Sequence, residues 1–176
     1  MNFLLLNFLL IVIVIFLLII LSFVWPPDSP WAPWWRTGKD IADNACKLGK
    51  VCEEDIVYEL GCGEGLMLMI SAKKYKAKAV GIEIDPLRTF IARIYVYFYR
   101  LTSKVKIIRG NFFDYDLSEA TVIYCYLVPK ALKRLKPKFL KELKPGTRII
   151  SYRYKIDFPL VKKDTKNNIY LYKIPQ

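Results

Sequence analysis

Val57-Tyr58-Glu59-Leu60-Gly61-Cys62-Gly63-Glu64-Gly65 is the stretch on which the fold turns. It closes an apolar run opened by Ile56 and precedes Leu66-Met67-Leu68-Met69-Ile70. That order reads as strand, glycine turn, helix. Glycines at every second position after an acid allow φ > 0 and let backbone approach a nucleotide-like ligand closely. The helix start behind them offers N–H groups that have no intrahelical partner. The spacing is G-x-G-x-G, not the dinucleotide-binding G-x-G-x-x-G. The same residues also read as an ordinary turn between a strand and a helix.

Outward from this loop the chain alternates. Lys39–Gly49 has helical spacing, with Ile41, Ala42, Ala45 and Leu48 on one face and Gly49 as a stop. Ile56–Leu60 is the first strand, and a helix over Leu66–Tyr75 follows the glycines. Ala79–Glu83 is a second strand. Asp85-Pro86 then supplies a cap and a first-turn proline for a helix. Further strands are expected at Lys104–Arg109, Thr121–Tyr126 and Thr147–Arg153. Pro129–Leu143 reads as a helix broken at Pro137. Phe158–Lys162 and Ile169–Ile174 read as a closing hairpin with Asn167-Asn168 at its turn. This alternation predicts a mostly parallel α/β sheet that ends in an antiparallel hairpin. Ligands of such sheets bind beyond the carboxyl ends of the strands, where Glu59–Gly65, Glu83 and Asn111 fall. A carboxylate at Glu83, about 20 residues past the loop, can accept both hydroxyls of a ribose. It could instead be a surface acid, while Asp85 fits the helix cap.

Composition narrows the chemistry. The 176 residues leave room for one domain and an appendage. There is no histidine, so imidazole bases, His ligands and His-based triads are excluded. Cys46, Cys52, Cys62 and Cys125 form no C-x-x-C pair, and a zinc site is not expected. They read as reduced, mostly buried thiols. The net charge of +12 is read as a surface property, and nucleic acid is not an expected partner because no recognised binding motif accompanies it.

Phe3 to Trp25 is almost wholly apolar, interrupted by Asn7 and Ser22. That length suffices to cross a hydrocarbon core of about 30 Å. A cleaved signal peptide is the rival. No Lys or Arg precedes the run and no small-x-small site follows, so a retained anchor over residues 1–25 is favoured. All basic residues follow it, which predicts a single-pass cell-membrane protein with its domain in the cytoplasm. Residues 26–40 form a Pro/Trp-rich linker, and residues 41–176 form the domain. The linker is either a stiff spacer with interfacial indoles or part of a substrate site.

The acid-x-G-x-G-x-G pattern at Glu59–Gly65 resembles the cofactor loop of class I S-adenosylmethionine methyltransferases. Asp55–Gly65, Gly81-Ile82-Glu83-Ile84, Gly110-Asn111-Phe112-Phe113, Leu117–Val122 and Leu140–Arg148 together are similar to a narrower group. That group is the archaeal protein-lysine methyltransferases and the mitochondrial lysine methyltransferases of the ATP synthase c-ring protein and adenine nucleotide translocase. The resemblance covers Pro30 to the C-terminus. It implies a Rossmann-like sheet and S-adenosyl-L-methionine as cofactor, contacted by Glu59, Gly61, Gly63, Gly65, Glu83, Asn111 and Phe112. In relatives the residue at Asn111 is usually Asp and faces the adenine amino group; Asn keeps an acceptor oxygen. Pro30-Trp31-Ala32-Pro33 matches the group's Pro-aromatic-x-Pro segment, with Trp34 where Thr is usual. After the fourth strand, Tyr126-Leu127-Val128-Pro129 stands in place of Asn-Pro-Pro-Tyr, which argues against DNA and glutamine substrates.

The implied chemistry is methyl transfer to a lysine in a protein, with membrane proteins among the candidate substrates. Trp31, Trp34, Tyr126, Tyr152 and Tyr154 are the candidates for an aromatic channel, or else packing residues. No base is identifiable. A lipid-soluble acceptor such as a quinone or isoprenoid, and a non-catalytic cofactor-binding module, are the alternatives. The helix from Leu87 to Leu101 is expected to put Leu87, Ile91, Ile94, Phe98 and Leu101 in the core. Its other faces hold Phe90, Tyr95, Tyr97, Tyr99, Arg88, Arg93 and Arg100, which suits either burial or headgroup contact.

Overall fold

The computed structural model describes residues 3–24 and 35–175. The chain divides into two units, residues 1–35 and 36–176. In the first, α1 (Phe3–Val24) is a 22-residue helix, about 33 Å at 1.5 Å per residue. Nothing charged interrupts it, and Phe3–Leu21 has the length and composition to cross a membrane.

The second unit is built on seven strands: β1 (Ile56–Leu60), β2 (Lys78–Glu83), β3 (Val105–Arg109), β4 (Val122–Cys125), β5 (Arg148–Tyr152), β6 (Leu160–Asp164) and β7 (Ile169–Lys173). The sheet order is β3-β2-β1-β4-β5-β7-β6. The first five are parallel, and β7 runs antiparallel to both β5 and β6. This is the mostly parallel sheet with a terminal hairpin that the alternation predicts. Thr165–Asn168 makes the hairpin turn; Asn168 takes φ of 55° and Asn167 bonds back to Asp164.

Four helices complete the unit: α2 (Lys39–Gly49), α3 (Leu66–Tyr75), α4 (Pro86–Phe98) and α5 (Pro129–Glu142). The register aligns Val57 with Ala79 and Val122, and Ala79 with Val105, so these side chains share one face. Ala42, Ala45 and Met67 join Val57, Val122, Tyr124 and Ile150 in one core cluster. Leu68, Ala72, Ala92 and Val96 join Ala79, Val105 and Ile107 in another. Thus α2, α3 and α4 cover this face. Gly81 on β2 allows α3 to lie so close, since a Cβ there would stand 2.4 Å from Leu68 Cδ1 and 2.7 Å from Cys62 Sγ. Cys46, Cys62 and Cys125 are buried, while Cys52 is exposed.

Three expectations need correction. Pro137 does not break α5, which is continuous over 14 residues. Pro137 is exposed, so its missing N–H leaves a carbonyl on the solvent side where water can bond to it. The opposite face, Ala131, Leu132, Leu135 and Phe139, stays buried and holds the helix. The fifth strand stops at Tyr152 because Arg153 turns to φ of 70°. Finally, α4 is rotated from the expected orientation. Its buried residues are Arg88, Thr89, Ala92 and Val96. Leu87 and Phe98, expected in the core, are exposed, and Ile91 and Ile94 are only half-buried. Beyond Arg88 in the first turn, small side chains (Thr89, Ala92 and Val96) meet the sheet, and the larger apolar ones are left pointing outward.

Candidate functional site

The glycine loop leaves the carboxyl end of β1 between those of its neighbours β2 and β4. Leaving β1, Gly61, Gly63 and Gly65 take φ of 73°, 54° and 76°, the left-handed region that side chains with a Cβ disfavour. Gly61 N–H and Cys62 N–H both donate to Ile82 O on the neighbouring strand. Gly65 is the left-handed N-cap of α3 and has no side chain to bond its first amides. Of those amides, Leu68 N–H is taken up instead by the carboxylate of Glu59 at the end of β1.

Two acids stand at the base of this loop. Glu83 is buried at the end of β2 and accepts Gly63 N–H at 2.7 Å and Asp85 N–H at 3.0 Å. Each oxygen accepts one bond, so the carboxylate keeps acceptor capacity for a ligand while fastening the loop. Glu59, at the end of β1, is buried, and its Oε2 has no hydrogen-bond partner. Burial, and then the charge of Glu83, push its pKa well above the ordinary carboxylate value; the Leu68 N–H acts the other way. Burial likewise raises Glu83, against the bonds from Asp85 and Gly63. An orphaned carboxylate oxygen inside a fold is costly. A cationic hydrogen-bond donor would relieve both that cost and the repulsion between the two acids.

Beyond β3, Gly110 N–H donates to Glu83 O. Asn111 Oδ1 accepts Phe113 N–H at 3.1 Å, an Asx turn that leaves its amide NH2 for other bonds. The Phe112 ring lies about the loop: its Cε1 is 4.0 Å, and Leu127 Cδ2 3.5 Å, from a Cβ placed on Gly61. At the ends of β4 and β5, Tyr126 and Tyr152 meet edge to face with centroids 4.5 Å apart. Arg153 Nη1 donates to the Tyr126 hydroxyl at 2.9 Å. Tyr154 contributes its carbonyl, which accepts Ser151 Oγ–H at 2.6 Å.

The structure thus brings together Glu59, the three glycines, Glu83, Asn111 and Phe112, and separately pairs Tyr126 with Tyr152. Trp31 and Trp34 lie outside the described residues. Sequence reasoning missed Leu127, Arg153 and the Arg36–Glu64 ion pair of 2.5 Å beside the loop. Leu127 was hidden among apolar neighbours. Arg153 is placed by a left-handed backbone turn that no residue type signals. Thr37 Oγ1 lies 3.2 Å from the hydroxyl of buried Tyr124, which ties the segment before α2 to the sheet.

Comparison with known proteins agrees with this architecture. Residues 59–163 match the family described as the ANTKMT methyltransferase domain. A protein-lysine N-methyltransferase of Saccharolobus islandicus (strain REY15A) is 40% identical over 128 residues, 72% of this chain and 80% of that protein. The adenine nucleotide translocase lysine N-methyltransferase of Mus musculus is 24% identical over 98 residues, 56% of this chain and 43% of its own length. The crystal structure of an RNA methyltransferase from Salinibacter ruber in complex with S-adenosyl-L-homocysteine is also similar, with TM-score 0.78 at 32% identity. That match covers 81% of this chain and 95% of that one. With more than half of its residues inside the family match, and with the glycine loop at the start of it, the chain belongs to the family of the ANTKMT methyltransferase domain.

Proposed function

We propose that this chain is an S-adenosylmethionine-dependent methyltransferase that acts on lysine side chains of proteins from a membrane-anchored position. The observation that carries the cofactor assignment is the unpartnered, buried Oε2 of Glu59 beside a loop of three left-handed glycines. A cationic, nucleoside-bearing ligand fits that donor set: Glu59 toward positive charge, Glu83 toward a ribose, Asn111 and Phe112 toward a base. The relatives named as lysine methyltransferases support the substrate class.

When bound, S-adenosylmethionine supplies a methyl group on a cationic sulfur. The protein's part is alignment and exclusion of water. A lysine, with a free pKa of about 10.4, must react as the neutral amine, so its proton passes to solvent before it enters. Tyr126 and Tyr152 offer an apolar edge-to-face pair at the strand ends, which disfavours the charged ammonium by desolvation. Their ring faces can also hold the methylated product cation. Arg153 fixes the Tyr126 ring through its hydroxyl. In this reading residues 1–25 are the anchor, 26–40 the linker with Trp31 and Trp34 as channel candidates, and 41–176 the catalytic domain. The length and composition of α1 support a single span, and the basic residues, all of which follow it, support a domain on the cytoplasmic side.

Membranes carrying the chain, incubated with methyl-labelled S-adenosylmethionine, test the substrate. Protease-sensitive label that resolves to methyl-lysine is expected. Solvent-extractable label would move the function to a lipid acceptor, and nuclease-sensitive label to RNA, the substrate named for the Salinibacter ruber relative.

A further inference from the structure

The outward face of α4 carries the wrong chemistry for solvent. Leu87, Phe90, Ile91, Ile94, Tyr97 and Phe98 recur at the spacing that puts them on one side of a helix. That side faces away from the sheet. Phe90, Tyr97 and Phe98 are 60%, 71% and 75% exposed, which for contiguous large apolar side chains marks an interaction surface. Nor is α4 a frayed segment: Asp85 caps it by accepting Arg88 N–H at 2.8 Å, and Pro86 opens its first turn.

Charge identifies the occupant. From Pro86 to Phe113 there is no Asp or Glu, while Arg88, Arg93, Arg100, Lys104, Lys106 and Arg109 all fall there. Arg88 is buried, and Arg93, Arg100 and Arg109 are exposed, whereas Lys106 alternates to the sheet face opposite α4. An apolar, aromatic stripe on a helix that carries arginines and no acids is the pattern of a helix lying in a bilayer interface. We propose that the outer face of α4 rests on a membrane surface rich in anionic phospholipids. The inference builds on the anchored reading of α1. Residues 25–35 join α1 to the second unit, and eleven residues span at most about 40 Å. The apolar face begins at Leu87, four residues after Glu83, so its contact holds the cofactor loop close to headgroups.

The test uses the full-length chain with Cys52→Ser, which leaves the buried thiols unlabelled. Tyr97→Cys carries a nitrobenzoxadiazole probe, and Lys141→Cys on α5 and Ile13→Cys on α1 carry the same probe for comparison. The proteins are reconstituted into vesicles of phosphatidylglycerol and phosphatidylcholine with brominated acyl chains. Quenching and a blue shift are expected at positions 97 and 13 but not at 141, and quenching at 97 should fall in vesicles of phosphatidylcholine alone. Quenching at 13 without 97 would overturn the α4 assignment and leave the anchor standing. Absence of quenching at both would overturn the anchored reading and the α4 assignment with it. A blue shift at 97 that grows with protein concentration and is indifferent to brominated lipid would give the face to a second copy and overturn the lipid assignment. As a second variant, Phe90→Ser/Phe98→Ser with the probe at 97 should lose the quenching while quenching at 13 remains; unchanged quenching would also overturn it.

Discussion

Glu59→Gln separates what the fold wants from what the ligand wants. The side chain is buried, its Oε2 is unpartnered, and its pKa is pushed well above the ordinary value by burial and by Glu83. The amide is nearly isosteric and keeps an oxygen for Leu68 N–H, but it removes the charge. A group whose folded pKa lies above its unfolded value binds more protons in the folded state across the window between the two. Stability therefore declines as pH rises through that window. The ligand-free variant should escape this decline and be more stable than the parent at neutral pH, each kcal/mol appearing as about 2–4 °C in Tm. Cofactor affinity should move the other way. A hydrogen bond to a charged group contributes about 1.5–3 kcal/mol, so Kd for S-adenosylmethionine should rise roughly 10- to 150-fold. Thermal unfolding without cofactor, and titration calorimetry with it, read the two effects on one preparation. A variant that binds as tightly as the parent, or loses stability without ligand, refutes the assignment of Glu59 to a cationic group.

Other substitutions test the remaining joints. Gly63→Val should abolish cofactor binding in calorimetry while the protein stays folded by circular dichroism, because a branched residue resists the φ of 54°. Gly81→Ala should destabilise the domain in urea by about 1–3 kcal/mol, the usual cost of overpacking, since Leu68 and Cys62 occupy the space of the new methyl. Asp55 is buried against Arg148, Thr121 Oγ1 and Cys52 N–H. Burial raises its pKa, but the Thr121, Cys52 and Arg148 contacts outweigh it and the net shift is downward. Its stabilisation is present above the unfolded carboxylate pKa and fades as pH falls through the folded value. Asp55→Asn should cost roughly 3 kcal/mol in urea unfolding at neutral pH, and the gap to the parent should close in acid. Tyr152→Ala should lower single-turnover methylation at saturating cofactor by about tenfold, or 1.4 kcal/mol of barrier, with cofactor Kd unchanged; an equal rate would leave the tyrosine pair to packing.

Much of this protein was legible in the sequence because the signals were local. An acid and three alternate glycines between an apolar strand and helix can hardly be anything but a strand-end loop, and Glu83 follows from the length of one strand–helix–strand unit. The parallel sheet and terminal hairpin followed from alternation and from Asn167-Asn168. What escaped was decided by packing. The periodicity of α4 shows that it has an apolar side, and the sequence rule sends that side inward. Beyond Arg88 in the first turn, the sheet instead takes Thr89, Ala92 and Val96, because the close approach of α4 to β3 admits only small side chains. Pro137 is tolerated for a similar reason, since the buried face of α5 outweighs one lost hydrogen bond on the solvent side. The unpartnered oxygen of Glu59 belongs to the same class. Residue type told that an acid stands before the glycines; only the surrounding strands, which exclude water and bring Glu83 near, decided that its charge awaits a partner.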